Sequence, residues 1–274
     1  MPSPLIFCGF GRIFWRKRLF PSRFCISCGD GAILSLTFVC FLLQGADDSF
    51  IILSTECILA LASDTSLGSA TFITDSCGAV GIIENLCAGI MARVDVESAV
   101  CTAMLRCLQL LVHHHVANQG RLCACGGLAG VTQFIVACNA AQRSCDSVRW
   151  AVEIVAHVAS SSRAGFDAAV SCSGVDAVFM AGAVCSAHTQ AAIASAIFDM
   201  VCSGPQIAAL VRHQCDVEDA RHIQTFSLLL QSRHPDIRRA AHTIVKRIGS
   251  KVDDRSFGQA KARGGLRSPM QRWK

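Results

Sequence analysis

"RLCACGGLAGVTQFI", residues 121–135, sets two cysteines and a glycine pair between a short segment and an apolar run. Preceded by His113, His114 and His115, it invites reading as a metal knuckle, since Cys and His are the usual ligands of structural zinc. The spacing argues otherwise. Cys123-x-Cys125 is not the Cys-x2-Cys or Cys-x4-Cys of most zinc motifs, and no second Cys/His pair follows at a usual distance. The alternative is a junction where a short helix meets a turn and a second helix begins.

The rest of the chain favours the junction, because the pattern recurs. In register with it stand "FCISCGDGAILSL" (24–36), "FITDSCGAVGIIENL" (72–86), "FDAAVSCSGVDAVFM" (166–180) and, more loosely, "IAALVRHQCDVEDARHI" (207–223). The last cysteines before each turn are Cys28, Cys77, Cys125, Cys172 and Cys215, at intervals of 49, 48, 47 and 43. Cysteines a whole repeat apart do not converge on one ion, so no structural zinc is expected. Bridges between rungs are disfavoured as well, because stacked helices lie about 8–10 Å apart, beyond the reach of a disulfide. On this reading Cys77, Cys125 and Cys172 are buried at equivalent points of the repeat.

Each turn is followed downstream by a second periodic segment: "STECILALAS" (54–63), "SAVCTAMLRCLQLLVHH" (98–114), "SVRWAVEIVAHVAS" (147–160), "TQAAIASAIFDMVCS" (189–203) and "DIRRAAHTIVKRIGS" (236–250). Ser54, Ser98, Ser147, Thr189 and Asp236 suit helix N-caps, and apolar residues such as Val148, Val152, Val155 and Val158 recur at three- and four-residue steps. The unit is thus short helix, glycine turn, apolar helix, polar loop and capped long helix. Scarce proline (6), no tyrosine and 52% hydrophobic residues suit an all-α protein with closely packed helices.

The turn-plus-apolar-run segments "CGGLAGVTQFI" and "CSGVDAVFM", with the capped helix "VRWAVEIVAHVAS", resemble the armadillo repeat family over residues 24–250. HEAT-like repeats have a similar length. The resemblance implies a right-handed α-solenoid of about five units, whose third helices line a concave groove that holds an extended peptide or a protein segment. It also implies a non-enzymatic interaction scaffold or adaptor. The alternative is a structural subunit that packs through the ends of its solenoid in a larger assembly. Family members that carry nuclear-import signals place Trp and Asn four residues apart on successive third helices. Here Glu153 and His157 stand at those positions, and Ala60, Cys107, Asp199 and Lys246 at the other Asn positions, so that ladder is missing.

The groove face expected from four-residue spacing carries Arg149, Glu153 and His157, then Ser195 and Asp199, then Arg238, His242 and Lys246. It is mixed to acidic in the middle and basic at its C-terminal end. Trp150 reads as a packing or rim residue, and His113–His115 as a solvated helix end.

The flanks differ from the body. Residues 1–23 fit the repeat poorly and read as a basic cap or the remnant of an earlier helix, with an organelle-targeting peptide as the alternative; residues 251–274 read as a basic flexible tail. Residues 1–29 carry five Arg/Lys and no acid, and 251–274 carry seven Arg/Lys and two Asp. That leaves 13 basic and 18 acidic side chains between them, so the net charge of +5 comes from the ends and no basic stripe suited to nucleic acid runs through the body. The twelve apolar residues "AILSLTFVCFLL" (32–43) fall short of the roughly 20 that span a bilayer and read as a core helix. An odd count of 17 cysteines in a long chain without an evident signal peptide suggests a reducing compartment, cytoplasm or nucleus. No phosphate loop, dinucleotide fingerprint or recurring acid–base constellation is present, so neither a cofactor nor catalysis is expected.

Overall fold

The computed structural model describes residues 43, 47–63, 70–93, 98–142, 146–184, 187–203, 208–212 and 220–248. The terminal segments, the first turn with Cys28, most of the apolar run 32–43 and Cys215 lie outside the described residues. Leu43, at the end of that apolar run, is buried.

Every extended element among the described residues is helical. After α1 (Asp48–Ser63) come three complete triplets. They are α2 (Ala70–Ala79), α3 (Ile82–Ala92) and α4 (Ala99–Val112); α5 (Val116–Ala124), α6 (Gly127–Ala140) and α7 (Asp146–Ser161); and α8 (Arg163–Ser171), α9 (Gly174–Val184) and α10 (Ala187–Ser203). The last pair is α11 (Ala220–Leu230) and α12 (Pro235–Ile248). Three helices per unit fit the armadillo pattern rather than paired HEAT helices.

The helices stack in three ladders. Third helices α1, α4, α7, α10 and α12 pack each on the next, second helices α3, α6, α9 and α11 do the same, and first helices α2, α5 and α8 form the outer ladder. One apolar core therefore runs through the array. α7 shows the consequence: Val148, Ala151, Val152, Ile154, Val155, Ala156, Val158 and Ala159 are buried, and Arg149, Trp150, Glu153, His157 and Ser160 form a half-buried stripe between the exposed ends Asp146 and Ser161. No single described helix is long and apolar enough to cross a membrane.

The junction read from residues 121–135 is a two-residue corner, and its geometry explains the glycine. Its second residue is left-handed each time: Gly81 at φ 81°, Gly126 at 72° and Ser173 at 57°. Only glycine adopts this conformation without a Cβ penalty, so the serine in the third copy carries strain.

These corners correct the cysteine ladder. The corner of the first triplet is Val80–Gly81, not Cys77–Gly78, so Val80 corresponds to Cys125 and Cys172. Cys77 sits one turn earlier and corresponds to Leu122 and Ala169, which are fully buried as it is. Cys125 and Cys172 are only half-buried at the corner itself. The second glycine misled the register: Gly78 is a helical position where a Cβ would meet the Asn118 side chain at 2.2 Å.

Capping also departs in part from expectation. Ser98 caps α4, with its side chain accepting from the Cys101 N–H. Ser147, Thr189 and Asp236 instead lie inside the first turns of their helices. Ser54 is buried in the middle of α1, which begins six residues earlier at Asp48. A serine preceding an apolar run reads like a cap, but α1 starts upstream, where Asp47 accepts from the Ser49 N–H.

Candidate functional site

The open face of the third-helix ladder can be followed across the array. Glu56 of α1 reaches Arg106 of α4 at 3.5 Å, and Arg149 of α7 binds Glu153 one turn on at 3.0 Å. The Arg149 guanidinium also lies over the Trp150 ring, 4.6 Å from its centre, and Trp150 itself is half-buried against the core. Three successive third helices then line one recess of about 240 Å³: Gln109 and His113 from the end of α4, Glu153 and His157 from α7, Ser195 and Asp199 from α10.

Five of the eight expected groove residues thus lie in or beside that recess. Arg238, His242 and Lys246 do not join it; they line a separate shallow recess on α12 with Pro235 and Arg239. Arg238 is also committed, its guanidinium donating to the Ser232 carbonyl at 2.6 Å. Cys107 is a further correction: it is fully buried, and the groove positions of α4 are Gln109 and His113. Gln109 and His113 are four residues apart, so the same spacing rule would have found them had the α4 face been placed two residues further on.

The histidine triplet is not a simple solvated helix end. α4 stops at Val112, the backbone turns through His113 and then His114 at φ 54°, and His115 caps α5. Two buried amides hold this corner. Asn118 donates to the carbonyls of Leu111 (2.9 Å) and Thr74 (3.1 Å), and Gln119 donates to that of Val112 (2.9 Å). Asn118 thus satisfies the Leu111 carbonyl at the end of α4, and Gln119 adds a second donor to the Val112 carbonyl, which also accepts from the His115 N–H. His115 Nδ1 accepts from the Asn118 N–H, so its Nε2–H donates to Asp75 at 2.6 Å. The corner thereby turns His113 and His114 toward His157: the ring centroids are 4.4 Å and 5.8 Å from it and 3.9 Å from each other.

Burial, with the neighbouring rings adding to it, lowers His157 to about 4. Burial and His114 lower His113 too, against the pull of Glu153. Asp199 is raised by burial, with His114 opposing the shift. Because the folded His157 resists a proton that the unfolded chain accepts, stability is full above the ordinary histidine value of 6.5 and is lost as pH falls from there toward 4. Solvent screening of a partly buried side chain holds the loss to about 1 kcal/mol at pH 5. Thermal melts from pH 7 to pH 5 should fall more steeply for the native chain than for His157→Gln; parallel slopes would contradict this.

Among the described residues no group of three His, Cys, Asp or Glu side chains is arranged to hold a metal ion. The outer corner carries its own chemistry, which the repeat register hid. The Cys125 thiol donates to the Leu122 carbonyl at 3.4 Å, and its pairing with Cys87 of α3 lowers it to about 6, while that pairing and burial push Cys87 up.

No protein-family model and no curated protein matches the sequence. Solved structures do match the fold. A computationally designed armadillo repeat protein for modular peptide recognition is 12% identical and superposes with a TM-score of 0.62, over 78% of this chain and 82% of that one. A second designed armadillo repeat protein, YIII(Dq.V1)4CPAF in complex with the peptide (KR)4, is 13% identical with a TM-score of 0.61 over 78% and 82%. An engineered protein, target OR366, is 14% identical with a TM-score of 0.62 over 78% and 81%. Three stacked ladders, left-handed corners between first and second helices, and these superpositions together show that the chain folds as an armadillo-type α-solenoid.

Proposed function

We propose that this chain is a non-enzymatic interaction scaffold that binds an extended peptide or protein segment along the open face of its third helices. The observation that carries the reading is the recess itself: α4, α7 and α10 converge hydrogen-bonding and charged side chains there, although their other faces are buried. Solved structures of the same fold include proteins described as made for peptide recognition, and one holds a peptide. The occupant lies across Arg149, Glu153, His157, Ser195 and Asp199, with a basic or neutral middle, and its acidic end reaches Arg238, His242 and Lys246 on α12. We place the protein in a reducing compartment, cytoplasm or nucleus, on its odd and abundant cysteines.

Contacts of this kind are partly exposed, so each contributes on the order of 1 kcal/mol or less and weakens with salt. The test uses fluorescein-labelled peptides with a Lys/Arg run joined to an Asp/Glu run in either order, read by fluorescence polarisation. Arg238→Glu combined with Lys246→Glu should weaken binding about tenfold, while the thermal melt falls no further than for Arg238→Ala, which removes the same bond to the Ser232 carbonyl. A double reversal without effect, together with loss of binding on Arg163→Glu in the outer ladder, would move the interface off this face.

A further inference from the structure

The groove reading gives no role to the mutual contact of three histidines at its centre. His113, His157 and Asp199 line both the recess described above and an adjoining one of about 510 Å³, which His114, Gln119, Ser160 and Ser161 complete. Rings 3.9, 4.4 and 5.8 Å apart are tolerable while neutral. A proton on any one of them raises the cost of a proton on the others, since like charges so close repel.

The groups facing His157 come from three elements. The end of α4 brings His113 and His114. Its own helix brings Glu153, one turn back and bonded to Arg149 at 3.0 Å. α10 brings Asp199 across the recess. His115, next in the chain, is turned away to Asp75 on α2. At neutral pH the imidazoles offer lone pairs and the two carboxylates offer negative charge, with one guanidinium already spent on Glu153. That combination suits an ammonium or a guanidinium.

We propose that the histidine cluster makes the centre of the groove a proton-gated subsite for one Lys or Arg side chain of the bound segment: Asp199 and Glu153 hold the cation while His113 and His157 are neutral, and protonation of these two expels it. The inference rests on the peptide-groove reading above. Linkage fixes its sign, because a cation and a proton that disfavour each other in one recess do so reciprocally. Acidification weakens the peptide, and the bound peptide lowers the pH at which the histidines titrate. Burial and mutual repulsion already lower His113 and His157, so the gate operates on the acid side of the ordinary histidine range.

The probe is a fluorescein-labelled peptide of alternating Lys and Arg between Gly-Ser flanks, at fixed ionic strength with chelator present to exclude metal ions. From pH 7.5 to pH 5 its Kd should rise about threefold on the native chain, chiefly through His113, and less than about 1.5-fold on His113→Gln/His157→Gln. Asp199→Asn should bind at least about fivefold more weakly already at pH 7.5. Independently of any variant, the imidazole Hε1 NMR titrations of His113 and His157 should move to lower pH when the peptide is added. Circular dichroism at each pH confirms that the chain stays folded. If the peptide binds with a Kd that pH does not change, or the double variant keeps the native pH dependence, the gate is refuted and the groove stands. If neither this peptide nor those of the preceding test binds at any pH, the groove reading fails and takes the subsite with it.

Discussion

Phe134→Ala should lower the unfolding free energy by about 3–5 kcal/mol, the largest effect expected from one side chain in this protein. Phe134 lies in the middle of α6, fully buried in the central complete unit. α6 packs against α3 and α9 along the second-helix ladder and against α5 and α7 within its own unit. The cavity therefore cannot be closed by moving one neighbour, and both adjoining repeats feel the loss. Urea denaturation followed by circular dichroism measures it, with Phe134→Leu as the comparison that keeps most of the volume and costs less than about 1.5 kcal/mol. Equal midpoints for the alanine and leucine variants would mean that the site collapses freely, against the packing described.

Asn118→Leu is expected to cost about 2–4 kcal/mol, by a different route. Leucine matches the shape but donates nothing, so the carbonyls of Leu111 and Thr74 lose their buried partner. An unsatisfied buried acceptor costs about 1–3 kcal/mol. The variant should also disturb the site. The corner Asn118 holds is the one that turns His113 and His114 toward His157, so all three histidine NMR signals should shift, although residue 118 touches none of those three rings in the contacts described. A destabilised variant with unchanged histidine signals would show that the corner holds itself.

The architecture was legible in the residues for a definite reason. Helical periodicity is local, and a solenoid repeats the same local solution, so segments such as 121–135 and 148–160 report the fold several times over. α7 illustrates it: valines at three- and four-residue steps are buried in the structure, and Arg149, Glu153 and His157 stay on the stripe left over. The left-handed corner was legible at Gly126 for the same reason, since only backbone geometry is involved.

Register and convergence were not legible, because both are set by contacts between units. Gly78 and Gly81 look alike in sequence; only packing against Asn118 makes the first a helical close approach and leaves the second as the corner. Cys107 and Gln109 differ by less than a turn, and only the helices packed around α4 decide which of them is buried. His113 and His157 stand at equivalent positions of neighbouring third helices, but the register that pairs them is set only by how α4 packs on α7. They meet because two buried amides bend the corner between α4 and α5, and the electrostatics of the site, with His157 lowered to about 4, exist only once that corner is closed. Local periodicity thus determines which helices form and which faces they bury, whereas the packing of one unit on the next decides where polar side chains meet and how they hold their protons.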